Sequence, residues 1–123
     1  MAPMLPQLFF VHFEGTSFVA EDEEGRLAGF LVGFLSQTDG TDAYVHFVGV
    51  APERRGSGLG RKLYERFFDT AREAGRTYVT LHTTQRMKVA QAMYRALGFE
   101  RLDDRVFPDG FVLLTYRKEI PPT

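Results

Sequence analysis

Apolar and polar positions change their period several times along this chain, and each change marks an element. Ser17–Glu21 and Leu27–Leu35 are apolar-rich runs separated by Asp22-Glu23-Glu24-Gly25, a polar stretch ending in glycine, which predicts a β-hairpin. A second polar stretch, Gln37–Asp42, contains Gly40 and predicts another turn. Tyr44–Val50 is rich in β-branched and aromatic residues, the composition of a strand. The period then lengthens. Leu59, Leu63, Phe67 and Ala71 recur four apart with Tyr64 and Phe68 beside them, which predicts an amphipathic helix ending near Gly75. Thr77–Thr83 reads as a strand. Thr84 is a candidate cap for a second helix, in which Ala90, Met93, Tyr94 and Leu97 share a face and Gly98 provides the stop. Phe99–Val106 and Phe111–Lys118 flank Phe107-Pro108-Asp109-Gly110, a strong turn signal, and predict a terminal hairpin followed by the short tail Ile120–Thr123. At the other end, Leu5–Phe13 is apolar and aromatic behind Pro3 and Pro6, and is expected to be the last turns of a helix. The order is antiparallel strands, one strand–helix–strand crossover, a helix and a hairpin. It predicts an α/β (α+β) fold with a mixed central sheet and helices packed on it.

Composition narrows the class. The chain has 123 residues, suited to a single domain, and is 44% hydrophobic and 25% charged. Its formal net charge of −1 argues against a dedicated nucleic-acid binder, which carries a basic excess. It has no cysteine, so disulfides, thiolate metal sites and a cysteinyl acyl-enzyme are excluded. No apolar run approaches the ~20 residues that span a bilayer. "MAPMLPQLFF" lacks the charged start and cleavage site of a signal peptide, so a cytoplasmic protein without membrane contact is expected.

The candidate chemistry lies between the crossover strand and its helix, in Arg55-Gly56-Ser57-Gly58-Leu59-Gly60. A helix's first N–H groups lack intrahelical partners and its dipole makes that end partly positive, so glycines there open an anion site suited to phosphate. Arg54, Arg55, Arg61 and Lys62 add charge. The spacing fits neither the Walker loop nor the dinucleotide fingerprint. On spacing alone a phosphate cradle and a plain turn both remain open.

Arg55-x-x-Gly58-x-Gly60, following a strand and Pro52, resembles the Gln/Arg-x-x-Gly-x-Gly/Ala signature of the GNAT superfamily of N-acetyltransferases. Downstream, "AQAMYRALGFE" (Ala90–Glu100) is similar to the helix of that family that ends in Tyr-x-x-x-Gly-Phe. The resemblance covers about Ser17–Lys118. It implies a mostly antiparallel sheet with a splayed strand pair and helices on both faces. It also implies acetyl transfer from acetyl-coenzyme A directly to a primary amine in a ternary complex, without a metal. By the same resemblance, backbone N–H groups of Gly56, Ser57, Gly58, Leu59, Gly60 and Arg61 would cradle the pyrophosphate, with Arg55 at the start of the loop. Val48, Gly49 and Val50 would present backbone groups to the pantetheine arm and the acetyl carbonyl, and the Val50 N–H is the candidate oxyanion donor. Gly49 is expected to accommodate a bulge that opens the slot; its plain alternative is a glycine admitting close packing.

Tyr94 matches the family tyrosine that protonates the departing thiolate, and a hydroxyl on the core face is its ordinary alternative. His46, on the slot strand, is the candidate base, because an imidazole exchanges its proton near neutrality. It is expected to point the same way as Val48 until any bulge. Glu53 and His82 are weaker candidates, and His12 has no supporting context. A metal pair of His46 and His82 lacks a carboxylate at a useful spacing.

Two departures qualify the resemblance. Met87 stands where many members carry a cofactor-contacting asparagine, which Gln91 is a candidate to replace. Only sixteen residues precede the Ser17 strand, and Leu8–Phe13 resembles the tail of the family's second helix, so the first strand and first helix are expected to be missing. Uncovered apolar surface would favour a homodimer, and the acceptor, a small molecule or peptide amine, is left unread. A catalytically silent coenzyme A or protein-interaction module and an unrelated nucleotide binder are the rival readings.

Overall fold

The computed structural model describes residues 9–13, 16–84, 87–102 and 104–121, leaving aside the side chains of 9–13 and of Phe47. Among the described residues eight strands form one sheet: β1 (Phe9–Phe13), β2 (Ser17–Glu21), β3 (Leu27–Leu35), β4 (Asp42–Val50), β5 (Tyr78–Thr84), β6 (Glu100–Arg101), β7 (Arg105–Val106) and β8 (Val112–Glu119). Their order across the sheet is β1-β2-β3-β4-β5-β8-β6, with β7 also on β8. All pairs are antiparallel except β4–β5, which is parallel and joined by the crossover helix α1 (Leu59–Glu73). Helix α2 (Lys88–Ala96) follows β5.

Register decides which face is the core. A Cβ on Gly29 would lie 3.0 Å from Leu59 of α1, and one on Gly33 would lie 2.4 Å from the Phe67 ring, so bare glycines let α1 close onto β3. The α1 face therefore carries Gly29, Leu31 and Gly33, their partners Val50, Val48 and Val45, and then Leu81 of β5 and Tyr116 of β8. Leu31, Val45, Leu81 and Tyr116 are buried with Leu59, Leu63, Tyr64 and Phe67. Tyr94 of α2 joins this layer, its ring 6.0 Å from Tyr64 and 5.5 Å from Tyr116. Both described helices thus pack on one face. The described residues place no helix on the other face, where Phe34, Tyr44, His46, His82, Thr115 and Arg117 lie, with Phe34 47% exposed.

Four local expectations are corrected. Phe9–Phe13 is a strand, antiparallel to β2 from Phe9↔Glu21 to Phe13↔Ser17, and not a helix tail. Five aromatic and β-branched residues are too few to hold a helix and match a strand that a neighbour can pair with. Leu5–Leu8, Pro3 and Pro6 lie outside the described residues. Only Glu14, Gly15 and Thr16 join β1 to β2, fewer than one helical turn. Thr84 does not cap α2: Met87 is its N-cap, and the Thr84 carbonyl accepts the Met87 N–H at 3.1 Å. Phe99–Val106 is broken into β6 and β7. The tail begins inside the core, since Ile120 is fully buried and its N–H donates to the Thr77 carbonyl at 2.8 Å.

Candidate active site

The parallel pairing of β4 and β5 runs from Asp42↔Tyr78 to Val45↔Leu81 and stops, although β4 continues to Val50 and β5 to Thr84. The strands part there, as a slot requires. The cause sits on the other side of β4. Its register with β3 slips between Val32↔Phe47 and Gly33↔Val45, which leaves His46 as the extra residue of a bulge. A bulge bends its strand and raises the local twist, turning β4 away from β5.

The bulge is therefore at His46 and not at Gly49. Gly49 pairs regularly with Phe30, and a Cβ there would lie 2.5 Å from that ring, so Gly49 is bare to admit an aromatic side chain. The bulge also breaks the expected alternation. Val48 and Val50, opposite Leu31 and Gly29, face the helices half-buried, whereas His46 lies exposed on the other face.

Beyond β4, Pro52–Arg54 form one 3₁₀ turn that leads into the glycine loop. Gly56 and Gly58 have φ of 77° and 84°, a left-handed backbone that favours glycine. A Cβ on either would touch nothing within 4 Å, so the glycines leave the helix end open to a ligand. Gly58 is the N-cap of α1, without a side-chain cap and without an acidic residue in the first turn. The first N–H groups of α1 are left to an outside acceptor. Gly60 has another reason to be glycine: its Cβ position is 3.4 Å from the Met93 sulfur, where α1 meets α2.

The four cations around the loop divide. The Arg54 side chain is 17% exposed, with Nη2 3.5 Å from Oδ2 of Asp22. Asp22 is itself buried and accepts the Glu24 and Arg26 N–H groups at 2.9 Å each and Arg26 Nε at 2.9 Å. The Arg26 backbone bond is the leading cause that holds this carboxyl below the usual carboxylate range, with burial opposing it. Asp22 thus ties the β2–β3 turn to the glycine loop. Arg55, Arg61 and Lys62 stay exposed, and among the described residues pair with no carboxylate. The Ser57 hydroxyl donates to the Arg54 carbonyl and is spent within the loop.

On the helix side, burial pushes the Tyr94 hydroxyl up, with the Tyr64 hydroxyl acting against it. Tyr94 therefore keeps its proton through the neutral range. Met87 is 53% exposed. Gln91 is no substitute for the missing asparagine, because its buried amide donates to the Thr84 carbonyl at 3.1 Å and accepts the Tyr116 hydroxyl at 3.1 Å. Gln91→Leu is expected to destabilise the fold by about 1–3 kcal/mol in chemical denaturation, since it strands the Tyr116 hydroxyl, and to change coenzyme A affinity less than twofold.

On the open side, His46 and His82 are the first residues past the last parallel pair, one on each strand. The Tyr44 ring lies between them, 6.1 Å from His46 and 5.4 Å from His82. His82 Nδ1 is 3.0 Å from Thr115 Oγ1, and burial lowers its pKa from the ordinary 6.5 while Asp42 opposes the shift. Sequence reasoning ranked His82 below His46; the register of the crossover strands makes them equivalent. Glu53 is an exposed residue of the 3₁₀ turn. The His12 side chain lies outside the described residues. Among the described residues no three His, Asp or Glu side chains are grouped to hold a metal ion. No described helix is long and apolar enough to cross a membrane.

Residues 2–99 match the acetyltransferase (GNAT) family. The chain belongs to that family. It is 40% identical over 90 residues to a mycothiol acetyltransferase of Thermobifida fusca, covering 68% of this chain and 28% of that protein. It is 37% identical over 82 residues to the N-alpha-acetyltransferase RimI of Mycobacterium tuberculosis, covering 63% and 50%. The chain thus spans half or less of the length of these relatives. Among solved structures, nourseothricin acetyltransferase superposes with a TM-score of 0.77 at 32% identity, covering 85% of this chain and 65% of that one. The yncA protein of Salmonella typhimurium, solved with its cofactor acetyl-CoA, shares the fold with a TM-score of 0.70 at 22% identity, covering 87% and 65%.

Proposed function

We propose that this chain is an N-acetyltransferase that moves the acetyl group of acetyl-coenzyme A to a primary amine by direct attack. The observation that carries the proposal is the uncapped N-terminus of α1, opening behind two left-handed glycines at the end of a strand that has parted from its neighbour. Backbone N–H groups of Gly56 and of Gly58 to Arg61 would bind the pyrophosphate, the Ser57 N–H being held by the Arg54 carbonyl at 3.2 Å, with Arg55, Arg61 and Lys62 supplying charge. Acetyl-coenzyme A supplies the activated thioester. The Ala51 N–H donates to the Ala28 carbonyl of β3 at 2.8 Å, and strand alternation then turns the Val50 N–H to the parted side, where it can donate to the developing oxyanion. Val48 has the same backbone orientation. The amine would approach from the open face, where His46 or His82 accepts the proton that leaves nitrogen as the C–N bond forms. Tyr94 would donate its hydroxyl proton to the sulfur as the C–S bond breaks.

Turnover of acetyl-coenzyme A over a panel of amines tests the reading. Coenzyme A binding without consumption of any amine would instead favour a silent binding module. The pH profile separates the two histidines. If His82 is the base, kcat/KM falls with acidity through a midpoint below 6.5, because burial lowers its folded value. His82→Gln then removes this acid limb and His46→Gln leaves it; the reverse result gives the role to His46.

A further inference from the structure

Tyr64 is a buried titratable group that the transfer chemistry has not used. It lies on α1 one residue past Leu63 and is 1% exposed. Phenylalanine would fill such a place without carrying an oxygen out of water, a cost that a buried hydroxyl recovers only by hydrogen bonding. Phe68 and Phe99, whose rings lie 6.2 Å and 6.1 Å from that of Tyr64, offer it no oxygen. Tyr94 does. The two tyrosine rings meet edge to face, 6.0 Å apart at 76°, and their hydroxyls are hydrogen-bonded. A bare residue makes the meeting possible. Gly60 stands one helical turn before Tyr64, and its Cβ position is 3.4 Å from the sulfur of Met93, the neighbour of Tyr94, so α2 closes on α1 at this face.

The bond has a direction. Tyr94 needs its own proton for the departing sulfur, so the proton in the bond is that of Tyr64. The two hydroxyls respond accordingly. Burial first, and the Tyr94 oxygen after it, hold the Tyr64 proton on, whereas the same bond works against burial at Tyr94. Tyr116, whose ring is 5.5 Å from that of Tyr94, does not compete, because its hydroxyl donates to Gln91 Oε1 at 3.1 Å. In the transfer step the amine nitrogen bonds to the acetyl carbon, the C–S bond breaks, and the Tyr94 proton passes to sulfur. Negative charge is left on a half-buried phenolic oxygen. A hydrogen bond to that oxygen strengthens as the charge forms, so Tyr64 stabilises the step more than it stabilises the resting enzyme. Solvent then returns a proton to Tyr94 and takes the amine's proton from the histidine.

We infer that Tyr64 is a positioning residue of the reaction, whose hydroxyl aims the Tyr94 proton at the leaving sulfur and steadies the oxygen left behind. The inference rests on the transferase reading and on Tyr94 as its acid. Tyr64→Phe keeps the ring and removes the donor. Assayed by thiol release from acetyl-coenzyme A with the panel amine that turns over fastest, it should lower kcat by about tenfold or more, the contribution of one hydrogen bond to a charged oxygen. The KM for acetyl-coenzyme A should stay unchanged, which also shows that the variant is folded. In the Tyr94→Phe background the same substitution should change kcat by less than about twofold, because the donor has no acceptor oxygen left to act on. A wild-type kcat in Tyr64→Phe, or an equal loss in both backgrounds, overturns the inference and leaves Tyr94 and the transferase reading standing. A wild-type kcat in Tyr94→Phe overturns the acid and this inference together. No turnover with any amine of the panel overturns the transferase reading as well.

Discussion

Gly58→Glu is expected to weaken coenzyme A binding by about a hundredfold or more. Two effects enter, and a second variant separates them. Gly58 has φ of 84°, so any side chain there adopts a left-handed backbone at a cost of about 1–2 kcal/mol. Gly58→Ala carries that cost alone, and because a Cβ meets nothing within 4 Å it adds no clash. The glutamate adds a carboxylate at a helix end that has no acid of its own, opposite the phosphates it is proposed to bind. Like charges about 4 Å apart near a protein surface repel by up to about 4 kcal/mol, and a tenfold loss of affinity needs about 1.4 kcal/mol. The two variants should therefore unfold at similar denaturant concentrations and differ greatly in coenzyme A affinity by titration calorimetry. Equal affinities would remove the pyrophosphate from this helix end.

Tyr94→Phe has the second large effect, on rate. The ring contacts survive, at 6.0 Å to Tyr64, 6.0 Å to Phe99 and 5.5 Å to Tyr116, so the KM for acetyl-coenzyme A should change little, while the buried Tyr64 hydroxyl loses its Tyr94 partner and stability should fall by about 1–3 kcal/mol. The hydroxyl is lost, and with it a general acid of the kind that contributes about 10²–10⁴-fold. We expect kcat to fall by about that factor throughout the neutral range. Burial holds the Tyr94 hydroxyl above its ordinary pKa, so the wild-type enzyme should show no loss of this acid until well into alkali. A variant with wild-type kcat would return Tyr94 to the aromatic core, where its ring already belongs.

Much of this arrangement was legible in the sequence, and the exceptions share a physical reason. The β2–β3 hairpin, α1 and the glycine loop are set by local patterns: alternation, four-residue recurrence, and glycines that need positive φ. The misreadings depended on partners distant in the chain. Gly49 looked like the bulge because glycine tolerates one, but its bareness serves Phe30 on the neighbouring strand, and the bulge falls on His46, which has no local signature of one. The Asp22–Arg54 pair was not legible because the two residues lie far apart in sequence. Ile120 looked like tail because a single apolar residue before prolines carries no period. Phe9–Phe13 was ambiguous as a short apolar run, and pairing with β2 decides it. His82 gained its standing only when the parallel register set it level with His46.

The three-residue link between β1 and β2 has a consequence for how this scaffold can change. Phe13 and Ser17 are already paired across it, so material inserted there need only leave and return at one fixed point. Lengthening a connection costs only about 0.6 kcal/mol per doubling, and no strand would have to be re-registered. Such a graft would arise at the β1–β2 end of the sheet, with β3 between it and the strand that leads to the α1 terminus. Acceptor choice and cofactor grip would then be free to diversify separately, one by insertion and the other held fixed by the backbone angles of two glycines.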